Sequence, residues 1–175
     1  MPADRDRPRP LIQVVLVEPE IPWNAGNVGR TCLAAGARLH LVRPLGFSLD
    51  ARHLRRAGLD YWRHVEPRVW PSWSSFQSAL PRLGVPYFFS AEAERDLWSI
   101  DFPQRPLLIF GCESCGFRDE IRECFRDRLV TIPRVDDRAR SLNLSTAAAV
   151  AIYEVRRQWS GKPMAAKDCA VPELS

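Results

Sequence analysis

Short apolar runs that alternate with helix-like segments are the feature that most constrains the fold of this chain. The strand-like runs are rich in β-branched and aromatic residues and lie at 11–17, 39–42, 87–90, 107–110 and 129–132. Segments with helical character occur between or after them, at 28–35, 49–57, 72–83, 118–125 and 145–159. Such alternation is typical of a parallel sheet covered by helices. The sequence therefore predicts an α/β domain with a mainly parallel sheet flanked by helices.

The length of the chain indicates one domain. Its 175 residues can bury a sizeable core, and 46% apolar with 26% charged residues is ordinary for a globular protein. We expect a flexible arm over residues 1–10, a single domain over 11–160 and a loose tail over 161–175. The arm lacks the apolar segment of a signal peptide, and no apolar run approaches the roughly 18 residues that span a bilayer. The number of cysteines is five, and an odd number argues against a framework of disulfides. We therefore expect a cytoplasmic protein without a membrane partner.

The charge is mildly basic. A formal net charge of +4 permits a polyanionic partner without requiring one. Only two of the 25 basic residues are lysines. Arginine suits bidentate contact with phosphate, but a genome rich in G and C would produce the same bias. Composition alone therefore does not decide whether the chain binds a nucleic acid.

Polar loops follow three of the predicted strands. The first, Pro19–Arg30, contains two asparagines and two glycines and opens a helix, where backbone amides attract anions. A capped helix with a solvated arginine is the plain alternative for this loop. The second loop is Gly111–Gly116, and the third is Ile132–Ser145. Because ligands of parallel sheets bind at the carboxyl ends of the strands, the three loops predict one shared site.

Other chemistries are weakly supported by these loops. The Gly-x-Gly-x-x-Gly spacing of a dinucleotide site is absent from the first loop. Cys112 and Cys115 have the spacing of a redox or zinc pair, but no second pair of ligands exists and Gly116 follows where a redox pair would open a helix. The neighbouring Asp136 and Asp137 are weak evidence for magnesium. We expect no metal.

The third loop runs without a spacer into an alanine-rich helix. Serine and asparagine side chains in Ser141-Leu-Asn-Leu-Ser145 favour caps and turns, whereas the alanines that follow are the best helix formers. The helix places Ala148, Ile152, Val155 and Trp159 on one face. This junction predicts a tight polar loop that lies against a small ligand and is anchored by a buried helix.

Taken in order, three loop motifs resemble the SPOUT class of RNA methyltransferases, in its 2′-O-ribose branch. The motifs are Asn24-x-Gly26-Asn27-x-x-Arg30, Phe110-Gly111-x-Glu113-x-x-Gly116, and Ile132-Pro133 followed by Ser141-x-Asn143-Leu144-Ser145. The chain is most similar to the small tRNA wobble-position cytidine/uridine 2′-O-methyltransferases. Segments shared with that subgroup include Glu18–Pro22, Leu39-His40, Pro44-x-Gly46-Phe47, Leu54–Tyr61 and Tyr153-Glu154.

The resemblance implies a fold, a cofactor and partners. The family fold is an α/β sheet with a C-terminal trefoil knot, and the family protein is a homodimer that acts on tRNA. The methyl donor S-adenosylmethionine would bind in the knot. The residues assigned to it at matching positions are Phe89, Gly111, Glu113, Gly116, Ile132, Ser141 and Leu142.

Roles in catalysis and RNA binding follow in the same way. Arg30 would orient the reacting 2′-hydroxyl and stabilise the developing alkoxide, because a guanidinium with a pKa above about 12 is a poor base. The other catalytic candidates are Asn24, Ser141 and Asn143, and the RNA-binding candidates are Arg140, Arg55 and Arg56.

The implied function is methylation of a ribose 2′-hydroxyl in tRNA, at the anticodon wobble nucleotide. Methylation at another tRNA position or in ribosomal RNA, and a catalytically silent RNA-binding relative, are the alternatives. A nucleotide-binding oxidoreductase is more distant. The chain departs from the subgroup at Cys115, where arginine is frequent, and its third loop is one residue longer between Pro133 and Ser141.

Overall fold

The computed structural model describes residues 12–49, 61–136 and 138–160. Its strands are β1 (Gln13–Val17), β2 (Arg38–Val42), β3 (Arg68–Trp70), β4 (Val85–Phe89), β5 (Pro106–Phe110) and β6 (Leu129–Val130). They form one sheet in the order β3-β2-β1-β5-β4-β6, and every neighbouring pair is parallel. The predicted α/β class with a mainly parallel sheet is confirmed.

Helices cover both faces of this sheet. They are α1 (Pro22–Ala35), α2 (Trp62–Val65), α3 (Trp73–Leu83), α4 (Asp119–Cys124) and α5 (Leu144–Ser160), with short 3-10 turns at Leu97–Ser99 and Arg126–Arg128. One apolar cluster lies under α1, α2 and α5, and a second lies under α3 and α4. None of the helices in the described part of the chain is both long and apolar enough to cross a membrane.

Alternating side chains of the central strands feed the two clusters. In β1, Val14 and Leu16 belong to the first cluster, whereas Val15 and Val17 belong to the second. Successive residues of a strand point to opposite faces, so a strand buried on both faces is a continuous apolar run. The near-unbroken apolar sequence of this segment is explained by its central place in the sheet.

Helix α1 begins earlier than the sequence pattern predicts. The predicted start was residue 28, but the helix begins at Pro22, with Ile21 as its N-cap, and it ends at Gly36 in a left-handed conformation. Proline is favourable in the first turn because its missing N–H has no partner there. Asn24, which the sequence analysis places in the first loop, therefore lies inside the helix.

A glycine in α1 lets a second helix approach closely. A Cβ added at Gly29 would lie 2.9 Å from the Trp62 ring and 3.2 Å from the Val65 side chain. Helix α2, which the sequence analysis did not predict, packs at this point. The edge strand β3 was also missed, because three residues with one buried side chain give little periodic signal.

The other predicted elements occur close to their expected places. Helix α3 has Ser72 as its N-cap, and α5 begins at Leu144, one residue before the predicted start. Strand β6 ends at Val130, two residues short of the prediction. In α5 the predicted face is confirmed, since Ala148, Ile152 and Val155 are buried. The predicted helix at 49–57, the arm and the tail lie wholly or largely outside the described residues.

A buried network of polar side chains joins the three strands β1, β2 and β3. Trp70 donates its indole N–H to Nδ1 of His40 over 3.0 Å. The His40 proton therefore lies on Nε2, which donates to Oε1 of Gln13 over 3.1 Å. Gln13 in turn donates to the Leu83 carbonyl over 2.6 Å. These bonds satisfy the polar side chains that the core buries.

Protonation of His40 should make stability depend on pH. Burial, reinforced by the charges of Arg68 and Arg38, lowers the pKa of His40 to about 3. In the unfolded chain the same imidazole takes up a proton below about pH 6.5, which the folded state refuses until about pH 3. The free energy of unfolding should therefore fall as the pH drops through this window, by up to about 1.4 kcal/mol per pH unit from this group.

Urea unfolding between about pH 7 and about pH 5.5 measures this dependence before most carboxylates titrate. H40Q should flatten the slope in that range, whereas H64Q, at an exposed histidine, should keep it. An unchanged slope in H40Q would show that His40 is protonated in the folded protein.

Candidate functional site

A cavity of about 720 Å³ opens at the carboxyl ends of β4, β5 and β6. Pockets of this volume take ligands of small-molecule or cofactor size. All seven residues that the resemblance assigns to the cofactor line it, and so do Asn24, Asn143 and Arg140. After β1 and after β5 the chain leaves in opposite directions along the sheet, and such switch points are where parallel sheets bind ligands.

Glu113 fastens the second loop to the start of α1. Its carboxylate accepts the backbone N–H of Glu20 over 2.7 Å, that of Ile21 over 3.2 Å, and Nδ2 of Asn24 over 3.0 Å. Helix α1 has no side-chain cap of its own and no acidic residue in its first turn. The carboxylate supplies the negative charge that a helix N-terminus favours.

A carboxylate of the first loop also accepts hydrogen bonds from the second loop. The Glu20 carboxylate accepts the backbone N–H of Ser114 over 2.9 Å and its hydroxyl over 2.8 Å. An ion pair of 2.6 Å between Arg118 and Glu18 lies beside this link. Two loops that lie more than 90 residues apart in the chain are thus crosslinked by carboxylates in both directions.

Asn24 joins this pair of loops to the third. Its Oδ1 accepts Nδ2 of Asn143 over 2.9 Å, while its own Nδ2 donates to Glu113. The orientation of the amide is fixed because an ionised carboxylate only accepts. Asn143 then caps α5, since its Oδ1 accepts the backbone N–H of Ser145 over 2.9 Å and its hydroxyl over 2.7 Å. One chain of side chains connects all three predicted loops.

The second loop is a tight hairpin. Cys112 and Gly116 exchange two backbone hydrogen bonds of 3.1 and 3.0 Å, and Gly116 has a φ of +69°. A Cβ at Gly111 would lie 2.4 Å from the carbonyl carbon of Gly116. The close approach that the glycines allow is therefore between the two ends of the hairpin itself.

The thiols of this hairpin lie together at the cavity. The Sγ atoms of Cys112 and Cys115 are 2.7 Å apart. The hydrogen bond with Cys112 raises the pKa of the Cys115 thiol. Burial raises the pKa of Cys32, in α1, to about 12, so that thiol is protonated and shielded.

Two stacked rings form an apolar wall of the cavity. Phe89 and Phe110 have ring centroids 4.7 Å apart and planes inclined by 15°, and both side chains are buried. They end the neighbouring strands β4 and β5, so the sheet itself sets their spacing. An apolar wall beside exposed backbone groups of a glycine hairpin suits a flat heteroaromatic ligand.

Several charged side chains of the third loop have partners within the chain. Arg134 donates from both terminal nitrogens to the Ala91 carbonyl, each over 3.3 Å. Asp136 forms a 2.6 Å ion pair with Arg138, whose hydrogen bonds lower the pKa of the aspartate. Within the described ranges no three His, Cys, Asp or Glu side chains are grouped as a metal site would require.

Arg30 lies apart from the cavity of its own chain. It is exposed on α1, and its guanidinium is 5.3 Å from the centroid of the Tyr61 ring. The structure thus brings together Asn24, Ser141 and Asn143 and leaves Arg30 outside the cavity lining. Arg55 and Arg56 lie outside the described residues.

Sequence reasoning missed the Glu20–Ser114 crosslink, the Arg134 anchor and the contact between the two thiols. Glu20 falls in a segment that matches the family, but a match assigns it no partner. Glu113 is a cofactor candidate by the resemblance, and the structure shows its carboxylate accepting backbone amides of the first loop.

Loss of the Asn24 side chain should destabilise the fold. N24A leaves the Asn143 amide without its partner and removes one of the two hydrogen bonds that Oε1 of Glu113 accepts, so we expect the free energy of unfolding to fall by about 1–3 kcal/mol. N27A is the matched control, because its side chain is exposed on the same helix, and it should change stability by less than about 0.5 kcal/mol. Denaturant unfolding measures both, and equal effects would remove Asn24 from its central role.

Comparisons with known proteins agree with this geometry. The model of the SpoU rRNA Methylase family matches residues 11–153. A tRNA (cytidine(34)-2′-O)-methyltransferase of Acidovorax sp. (strain JS42) is 41% identical over 153 residues, which cover 85% of this chain and 92% of that protein.

Solved structures add the fold and the ligand class. One, described as giving insight into the 2-OH methylation of C/U34 on tRNA, has a TM-score of 0.79 and 46% identity and covers 86% of this chain and 97% of its own. The methyltransferase AviRb of Streptomyces viridochromogenes, in complex with AdoMet, has a TM-score of 0.72 and 27% identity. Its match covers 91% of this chain and 63% of that protein.

Proposed function

The chain belongs to the SpoU rRNA methylase family, and we propose that it transfers a methyl group from S-adenosylmethionine (AdoMet) to the ribose 2′-hydroxyl of nucleotide 34, a cytidine or uridine, in tRNA. The observation that carries this proposal is the cavity that the three hydrogen-bonded loops enclose. Support for the substrate comes from the relatives, since the matched tRNA methyltransferase is covered over 92% of its length. The similarity therefore extends beyond a cofactor-binding core.

The residues around the cavity fit AdoMet. The stacked Phe89 and Phe110 offer an apolar wall for an adenine, and the hairpin backbone at Gly111 offers polar groups for its edge. Ser141 and Leu142 lie at the opposite loop, where they would contact the rest of the nucleoside. When bound, AdoMet supplies a methyl group on a positively charged sulfur, which makes that methyl electrophilic.

The protein contributes position and charge to the transfer. Alignment of a nucleophile with a bound electrophile removes much of the entropic barrier. We assign Arg30 to the 2′-hydroxyl, which it orients and whose developing negative charge it stabilises. Asn24 and Asn143 hold the loops at fixed separation, and Arg140 binds an RNA phosphate. The hydroxyl proton leaves to an acceptor other than the guanidinium, whose basicity is too low.

We further propose that two copies of the chain complete each site. Arg30 lies outside the cavity of its own chain, so a second copy is needed to bring it to the bound methyl donor. Large apolar side chains remain exposed at the cavity, on α1 and on α5, namely Ile21 at 41% and Leu142 at 37%, Trp23 at 55%, and Tyr153 at 53%. Exposed apolar surface beside a polar site is typical of a protein interface.

The C-terminal trefoil knot and the single domain over residues 11–160 belong to the same proposal. Helix α5 lies against α1 although the two are separated by five strands in the chain. Asn143 is bonded to Asn24 at this contact. A knot would hold the third loop across the cavity and limit its motion.

Methylation of defined transcripts tests the activity. Unmodified tRNA with C34 or U34 should accept labelled methyl from AdoMet at a single position, because one loop architecture presents one ribose to the cavity. A transcript with 2′-deoxynucleotide 34 is the matched control and should accept none. Methylation of that control, or of ribosomal RNA alone, would contradict the substrate, and AdoMet binding without transfer would indicate a silent relative.

Substitution of Arg30 tests the shared site. R30A should lower single-turnover methylation by roughly 100-fold or more, as loss of a transition-state donor does, while AdoMet affinity stays within about twofold. R126A, at an exposed arginine away from the cavity, is the control and should be normal. If S141A is also inactive, an equal mixture of R30A and S141A chains should recover about a quarter of wild-type activity, since half of the dimers then hold one intact site. No recovery after exchange, or an active monomer in sedimentation, would refute the shared site.

A further inference from the structure

The two thiols of the second loop lie at the cavity, so their oxidation would change its lining. Cys112 is half-buried, Cys115 is exposed, and both line the cavity. Their Sγ atoms are 2.7 Å apart, so the side chains already point at one another. The spacing of the pair gives little support to a catalytic redox site or a zinc site. A regulatory role requires neither a helix start nor a second pair of ligands.

The backbone fixes this juxtaposition. Cys112 and Gly116 are held by two hydrogen bonds of the hairpin, and the left-handed conformation of Gly116 closes it. Cys115 is the last residue of the turn and directly precedes that glycine, and its Sγ atom faces that of Cys112. The sulfurs can therefore approach bonding distance without opening the hairpin.

The residues between the cysteines are those that hold the first loop. Glu113 and Ser114 form five hydrogen bonds with the segment at the start of α1, three through the Glu113 carboxylate and two through Ser114. A bond between the flanking sulfurs would enclose both residues in a small covalent ring. Any change in the hairpin then acts directly on the bonds that set the wall of the cavity.

We propose that Cys112 and Cys115 form a reversible disulfide that lowers the affinity of the cavity for S-adenosylmethionine. The proposal rests on the proposed function, because it concerns regulation of the same site. Drawing the sulfurs together displaces the hairpin relative to the carboxylate contacts of α1, and the donor site loses its fitted wall. Methylation would consequently slow when the thiol pool is oxidised.

The chemistry is thiol–disulfide exchange with a low-molecular-weight disulfide such as oxidised glutathione. A thiolate of the pair attacks one sulfur of the oxidant, forms a mixed disulfide and expels one glutathione thiolate, which takes up a proton. The second cysteine loses its proton and attacks the protein sulfur of the mixed disulfide, expelling the second glutathione. Two protein thiols are oxidised and one oxidant disulfide is reduced to two thiols.

Binding and oxidation are then linked in both directions. If the disulfide weakens AdoMet binding by a given factor, bound AdoMet disfavours the disulfide by the same factor. The cofactor would therefore protect the pair. The two other cysteines in the described part of the chain do not share this link, because Cys32 is buried and Cys124 lies on α4, away from the cavity lining.

The test uses the full chain in buffers of reduced and oxidised glutathione. Peptide mapping without reduction should recover a Cys112–Cys115 disulfide, formed more slowly when AdoMet is present. Calorimetry should then show AdoMet bound about tenfold more weakly by the oxidised protein, with the original affinity restored by dithiothreitol. Oxidised protein with unchanged affinity, or glutathione adducts without an internal bond, would overturn the proposal.

Two variants separate this effect from general oxidation. C115S should bind AdoMet equally before and after the same treatment, whatever its starting affinity, whereas C124S should respond as the wild type does. A loss of affinity in oxidised C115S would assign the effect to another cysteine and overturn the proposal. Failure of the reduced wild type to bind AdoMet would refute the proposed function instead, while peptide mapping still decides whether the disulfide forms.

Discussion

The hydrogen-bonded amide of Asn24 is the contact on which the rest of the site depends. It is only 5% exposed, and it faces a carboxylate on one side and a second amide on the other. Each partner has a further duty, since Glu113 caps the start of α1 and Asn143 caps the start of α5. Because a buried polar group without a partner is costly, each of the three loops stabilises the position of the other two. The cavity thus depends on hydrogen bonds between the three loops and not on any one motif.

The parallel sheet makes this convergence possible. Strands β1, β5 and β4 are neighbours, and their carboxyl ends deliver the first loop, the hairpin and the phenylalanine wall to one edge. After β1 and after β5 the chain leaves that edge in opposite directions, which leaves a gap between the outgoing loops. Apolar packing on both faces fixes the strands, so the polar edge can carry strained and hydrogen-bonded features without loss of the core.

Much of this architecture could be predicted from the sequence, and the physical reasons are plain. The α/β class follows from uninterrupted runs such as 107–110, and the end of α1 follows from Gly36. The family prediction from three ordered motifs is confirmed by the match over residues 11–153. Every cofactor candidate lines the cavity because the motifs follow strands, and the carboxyl ends of parallel strands lie at one edge of the sheet.

What the sequence could not supply depends on contacts between distant segments. The early start of α1 was hidden because Pro22 both disrupts a helix interior and suits a first turn. The reciprocal bonds between Glu20 and Ser114 have no periodic signature. The sequence also could not show that Arg30 lies outside the cavity of its own chain. That position depends on which side of α1 faces the loops.

The bond between Asn24 and Asn143 spans 119 residues, and this has a consequence for synthesis of the chain. A ribosome-bound chain that has emerged only as far as β6 holds the complete sheet, yet its Asn24 carbonyl lacks the amide that it accepts in the finished protein. The stacked rings and the hairpin can form at that stage, but the third wall of the cavity cannot. The cavity is therefore complete only when the last helix has left the exit tunnel.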